Sequence, residues 1–288
     1  NPSLVYVGAF GFAQDGPYAA RPAYDDLIQG MSGLPSLMAT ASEGEPRYVP
    51  MAIVDRFVGA HVVNAMLGAL LHRQRTGEGQ AVEVPMFETM VDAVLSDHAG
   101  GQMFDPSLGP AGYTRSLAPE RHPYRTSDGY ICVMIYNDRQ WRNFFALVGR
   151  DLLDTDPRFA TITTRTVHAR EIHAMLAELL AHRSTAQWLE ALGGADIPAA
   201  PLNTLESLAG DPHLQATGFF EWIDHPSEGR LRAMKPAATW SATPLSVRRH
   251  APRQGEHTRE LLAEAGYSDS QIDAMIRAGA AAGPGEGG

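Results

Sequence analysis

The chain of 288 residues holds one cysteine, Cys132, so no intrachain disulfide can form, and a reducing cytoplasm is the expected compartment. Positive charge is in deficit. The 23 Lys and Arg against 33 Asp and Glu leave a net charge of −10, a field that attracts neither a nucleic-acid backbone nor an anionic membrane, so neither partner is expected. Long apolar runs are also scarce. The longest, Val58 to Leu71, is interrupted by His61 and Asn64 and reads as too short to span a bilayer; no charged start with an apolar signal core is present, and a soluble protein is expected. The 11 histidines are scattered, none in H-E-x-x-H, and with a single cysteine there is no zinc pattern, so no metal is expected. Gly30-Met31-Ser32-Gly33 is not a G-x-S-x-G nucleophile elbow, and Gly77-Glu78-Gly79-Gln80 lacks the third glycine of a dinucleotide loop.

What is present is a 44% hydrophobic composition, enough for one large core or two smaller ones. Leu4 to Val7 reads as a buried strand, followed by a glycine-bearing turn from Gly8 to Pro17 and a helical segment from near Tyr24, an α/β opening. The helical spacing of Phe57, Val58, Val62, Met66, Leu67, Leu70 and Leu71 predicts a helix over 56–74. Residues 80–84 alternate like a strand, and Pro85 opens a helix from Met86 to about His98. Glycine, proline and serine concentrate between Gly100 and Pro123, the expected linker. Beyond it the pattern predicts a strand over 130–136 and helices over 138–148, 171–182, 185–192 and 204–209, with Pro198 and Pro201 fencing a connection. Strands over 218–223, 231–234 and 239–241, helices over 256–264 and 270–278, and a mobile tail over 283–288 complete the expectation.

Asp55 falls at the first turn of the 56–74 helix, where unpaired N–H groups and the positive end of the helix dipole favour a carboxylate. Two readings stay open on spacing alone: an N-cap, the common role of aspartate, or a nucleophile that takes an acyl group as a mixed anhydride. Tyr24, Asp25 and Gln29 form a polar set whose plain reading is helix-start hydrogen bonding. Trp141, Phe144 and Phe145 read as core, since no basic strip accompanies them as a base-stacking platform would need.

The ordered segments carry more than any single residue. Gly11-Phe12-Ala13-Gln14-Asp15-Gly16-Pro17-Tyr18, Tyr24-Asp25 with Gln29, Asp55 with Gly59, Arg75-Thr76-Gly77-Glu78-Gly79-Gln80, Tyr124 with Asp128-Gly129, Ile197-Pro198-Ala199-Ala200-Pro201, Asp211-Pro212 and Gly255-Glu256-His257-Thr258 occur in family order. From Asn1 to about Gly279 the sequence resembles the family III CoA-transferases, the CaiB/BaiF group of formyl-CoA and carnitine CoA-transferases and α-methylacyl-CoA racemases. The resemblance implies an α/β fold: a partial, Rossmann-like large CoA-binding domain over 1–99, a linker over 100–123, a smaller α+β domain over 124–218, and a return linker with closing helices over 219–288. It also implies an interlocked homodimer and an upstream Rossmann half that this chain is expected to lack.

Carried over residue by residue, the resemblance makes Asp55 the catalytic aspartate and assigns Phe12, Tyr24 and Gly59 to the CoA side of the site. Coenzyme A and its acyl thioesters enter as substrates together with a carboxylic acid, and no tightly bound cofactor is implied. The expected activity is CoA transfer through an aspartyl-acyl anhydride and an aspartyl-CoA thioester. The alternatives are α-methylacyl-CoA racemase-type proton transfer and a truncated, non-catalytic CoA-binding or interaction fragment. The family's racemase places a histidine base where Tyr24 stands, and a phenol is a poor base at neutral pH, which favours transfer. The glycine-rich run of formyl-CoA transferases is not evident between Leu117 and Tyr124, which argues against formate and oxalate.

Overall fold

Strand β1 (Tyr6–Phe10) pairs in parallel with β2 (Ala81–Pro85), and parallel strands require a crossover; here it carries α1 (Asp25–Ser32), α2 (Leu34–Ser42) and α3 (Ile53–Thr76) before α4 (Met86–His98) follows β2. The computed structural model describes residues 1–283, and the expectation of a mobile tail falls, from residue 284 on, outside the described residues. The chain is mixed α/β and divides into two units, Asn1–Leu202 and Asn203–Gly288.

The opening strand corrects the expectation of a buried run over 4–7. Leu4 is 59% exposed and lies before the strand, and Gly8 belongs to the strand rather than to the turn. The cause is Gly79, which approaches the chain so closely that a Cβ there would stand 1.9 Å from the Leu4 carbonyl oxygen. That approach, with the Gly79 N–H donating to Pro2 O, ties 2–4 down as a turn.

Helix α3 starts three residues before the expected 56 and runs for 24 residues, about 36 Å at 1.5 Å per residue. By length and composition alone it is long enough and apolar enough to cross a membrane, with a mean hydropathy of 1.3, which corrects the expectation that no segment is. The correction has a simple origin: His61 and Asn64 interrupt a run of letters without interrupting a helix. Val54, Val58 and Ala69 are its buried residues, whereas Val63, Leu67 and Leu71, spaced by four and so on one face, are about half exposed.

The rest of the first unit begins with a 3-10 turn at Gly100–Met103 and an irregular path to β3 (Tyr124–Arg125). Then come β4 (Tyr130–Val133), α5 (Asp138–Leu147), α6 (Ile162–Val167), α7 (Ala169–Leu180), α8 (Thr185–Gly194) and β5 (Ala199–Pro201). The three strands form an antiparallel sheet in the order β3-β4-β5, so the stretch between Pro198 and Pro201 is a strand rather than a plain connection. Trp141, Phe144, Phe145, Phe159 and Trp188, all under 5% exposed, build its core. Each such side chain contributes roughly 1.5–3 kcal/mol by burial. Helix α5 points its aromatic residues there because the Asn137–Gln140 capping box sets its first turn: Gln140 N–H donates to Asn137 Oδ1 (3.0 Å) and Asn137 N–H to Gln140 Oε1 (3.2 Å).

The second unit contains α9 (Leu205–Leu208), α10 (Pro212–Ala216), the antiparallel hairpin β6 (Phe220–His225) and β7 (Gly229–Met234), then α11 (Thr258–Glu264) and α12 (Asp269–Arg277). Arg230 and Arg232 lie against the Trp222 ring across the hairpin, at 4.8 and 4.9 Å. Residues 239–241, expected as a strand, pair with no strand among the described residues and are irregular.

Candidate active site

Tyr24 enters α1 in extended conformation, and the following Asp25 and Asp26 occupy the first turn, where the helix dipole favours acidic side chains. Asp25 does more than complement its own helix. Its Oδ2 accepts the Asp55 N–H (3.0 Å) and its Oδ1 accepts Gln29 Nε2 (2.6 Å). Gln29 is fully buried, and its Oε1 accepts the Val49 N–H (2.9 Å), so the strap leading into α3 is pinned from α1. Ala52, at the head of α3, supplies no capping side chain. The N-cap reading of Asp55 is therefore corrected: the carboxylate that satisfies this helix start comes from Asp25, on a neighbouring helix.

With its N–H held, Asp55 presents an exposed carboxylate that has no hydrogen-bond or ion-pair partner among the described residues. Gly59 lies one turn further along the same face, exposed, with nothing within 4 Å of where a Cβ would stand. A glycine inside a helix costs about 1 kcal/mol relative to alanine, and no neighbouring group occupies the space it leaves. Tyr24, 73% exposed, is chain neighbour to Asp25 and so borders the same helix start. Helix α3 thus shows a carboxylate and an open strip to solvent while Val54 and Val58 anchor its other face.

Phe12 is placed beneath this surface. It is 3% exposed and shares an apolar cluster with Ile28, Val54 and Val58, its ring edge-on to Tyr18 (5.5 Å) and Phe87 (5.9 Å). Gln14 and Asp15, next in the loop, are exposed. Two carboxylates hold that loop by its backbone: Glu83 Oε1 accepts the Gln14 N–H (2.6 Å) and Glu88 Oε1 accepts the Ala13 N–H (3.2 Å). Neither glutamate stood out in the sequence, because no local pattern marks a side chain that serves backbone about 70 residues away. Gly11 is needed at the loop's start, since a Cβ there would lie 2.2 Å from that of Ala23.

The parallel pair with its helical crossover and the aspartate in the first turn of α3 are the features against which known proteins can be compared. Residues 1–258 match the family described as CoA-transferase family III, and the chain belongs to that family. It is 31% identical to a succinate–glutarate CoA-transferase of Agrobacterium fabrum over 92% of this chain and 66% of that protein. It is 27% identical to a succinyl-CoA:glutarate CoA-transferase of Mus musculus over 96% of this chain and 64% of the other. Both figures mean that the chain spans less than two thirds of these relatives' length. Among solved structures, a CAIB/BAIF family protein from Brucella suis superposes with a TM-score of 0.68 at 30% identity, covering 92% of this chain and 68% of that one. Rv3272 from Mycobacterium tuberculosis superposes with a TM-score of 0.71 at 25% identity, covering 90% and 69%.

Proposed function

We propose that this chain carries the reacting carboxylate of an acyl-CoA:carboxylate CoA-transferase, with Asp55 as nucleophile. The observation that carries the reading is the Asp55 carboxylate itself, exposed in the first turn of α3 and unpartnered among the described residues. Such a group gives up no structural bond when it is acylated. In the proposed cycle an Asp55 oxygen attacks the thioester carbonyl, forming an aspartyl-acyl anhydride and releasing CoA thiolate. The thiolate then attacks the aspartyl carbonyl, giving an aspartyl-CoA thioester and the free donor acid. The acceptor carboxylate attacks that thioester, releasing thiolate again, and the thiolate takes the new acyl group to leave acyl-CoA and Asp55 as it began. The positive end of the α3 dipole supports the oxyanion formed at each attack.

Gly59 and Tyr24 border the approach to Asp55, the glycine by leaving room for a pantetheine arm, and Phe12 shapes the loop from beneath. The names of the relatives support a short carboxylic acid as acceptor. The same reading extends to a Rossmann-like large domain, a smaller α+β domain and an interlocked cytoplasmic homodimer. The parallel β1 and β2 pair with its helical crossover and the half-exposed stripe of α3 support that extension.

Incubating the protein with succinyl-CoA and quenching with hydroxylamine tests the assignment. The Asp55 peptide is expected to become a hydroxamate, and Asp55→Asn to abolish it while lowering succinyl-CoA/glutarate exchange by at least ~10³-fold. Hydroxamate formation and exchange that survive in Asp55→Asn would overturn the reading. So would solvent deuterium entering the acyl α-carbon with no acceptor acid present, since transfer breaks no C–H bond.

A further inference from the structure

A cavity of about 250 Å³ opens between the end of β4 and the helices α6 and α7. One wall is apolar, built by Ile135, Trp141, Ile172 and Leu176, all buried. The charged side chains on the lining are all arginines. In a chain with ten more acidic than basic side chains, no Asp or Glu among the described residues lines this cavity, while Arg115 and Arg121 both do. Neither guanidinium has a carboxylate partner among the described residues. Arg115 rests against Met134 Sδ (3.7 Å) and the Tyr136 ring (5.2 Å), and the Arg121 side chain makes no hydrogen bond among the described residues. The third arginine on the lining, Arg165, is already committed to Asp138 and to the Phe159 carbonyl.

Tyr124 and His173 also line the cavity, joined by a hydrogen bond of 2.5 Å between the phenol oxygen and Nδ1. Burial raises the Tyr124 phenol well above its usual range. Burial first, then the charges of Arg121 and Arg115, hold His173 down to about 4. Both groups are neutral at neutral pH. The cavity therefore combines two guanidiniums without a carboxylate partner among the described residues and a hydrocarbon wall.

We propose that this cavity binds a small carboxylate with a short apolar chain, its oxygens on Arg115 and Arg121 and its hydrocarbon against Trp141, Ile172 and Leu176. A guanidinium fork matches a carboxylate in plane, and the apolar wall rewards a tail that an inorganic anion lacks. The volume lies just under the ~300–1,000 Å³ usual for small-molecule sites, so the occupant is small. The site shares no residue with the surroundings of Asp55 and does not depend on the reaction proposed there.

Calorimetric titration of the full chain with hexanoate, 1-hexanol and inorganic phosphate tests this site. Hexanoate is expected to bind the unsubstituted protein and Asp55→Asn equally, and hexanol and phosphate at least tenfold more weakly. The double variant Arg115→Gln/Arg121→Gln is expected to lose at least tenfold in hexanoate affinity. Thr166→Glu, which puts a carboxylate on the cavity lining, is expected to do the same and serves if the double variant does not fold by circular dichroism. Hexanoate affinity that is unchanged in the folded variants, lost in Asp55→Asn, or matched by hexanol or phosphate would overturn the proposal.

Discussion

The two parts of the first unit are held together in different ways. Between Tyr124 and Leu202 the aromatic side chains close on one another, with Trp141 against Phe145 at 5.5 Å and Phe145 edge-on to Phe159 at 5.0 Å. Helix α3, which bears Asp55, has three buried residues in 24. Buried packing is thus concentrated away from Asp55. Changes on the exposed face of α3 should register in activity, and changes in the aromatic core in unfolding.

The largest expected effect lies in the core. Trp188 is 1% exposed and its Nε1 donates to the Leu180 carbonyl (2.8 Å), so Trp188→Ala should cost about 3–5 kcal/mol, read by urea denaturation. A loss under about 1 kcal/mol would break the contrast between the two parts. Next comes pH. Because His173 is held at about 4 against an ordinary 6.5, the unfolded chain takes up a proton in that window that the native chain refuses. Stability should fall as pH drops from 6.5 toward 4, and His173→Gln should flatten that stretch of the curve. Asp128, held low by the Thr185 N–H and hydroxyl, and Asp156, held low by Arg158, lose their contribution only as pH falls below the usual carboxylate range, so the windows separate.

The smallest effect sharpens the comparison most. Gly59→Ala adds a Cβ into open space, so it should stabilise by about 0.5–1 kcal/mol while slowing CoA exchange. Thermal melts and exchange rates on one preparation would show whether the two move in opposite directions, as a helix face kept clear for substrate requires.

Local chemistry made some elements readable. Helix α4 runs from Met86 to His98 as the Pro85 boundary suggests, and α5 starts at Asp138 behind the Asn137 cap. Other elements hide because distant residues decide them. Strand β5 sits in a proline-fenced stretch that looks like a connection until β4 pairs with it, Cys132 opposite Ala200. Helix α6 is rich in β-branched residues, which disfavour helices, and is started by a reciprocal Thr161–Thr164 cap. Residues 239–241 have strand-like composition and no partner strand among the described residues. At the candidate site, Asp55 was legible as a carboxylate at a helix head. That Asp25 takes over the capping from 30 positions away was not, since only the tertiary fold brings the two together.

The pairing of Tyr6 with Ala81 has a consequence for how the protein is made. A ribosome adding roughly 5–20 residues per second must work for roughly 4–15 s after the first strand emerges before its mate follows. At the end of that interval α3 is outside the exit tunnel without the paired sheet behind it, its hydrocarbon side bare. Nascent-chain recognition by a chaperone should therefore peak between the emergence of Thr76 and that of Pro85, and slowing translation just past that point should raise the yield of folded protein.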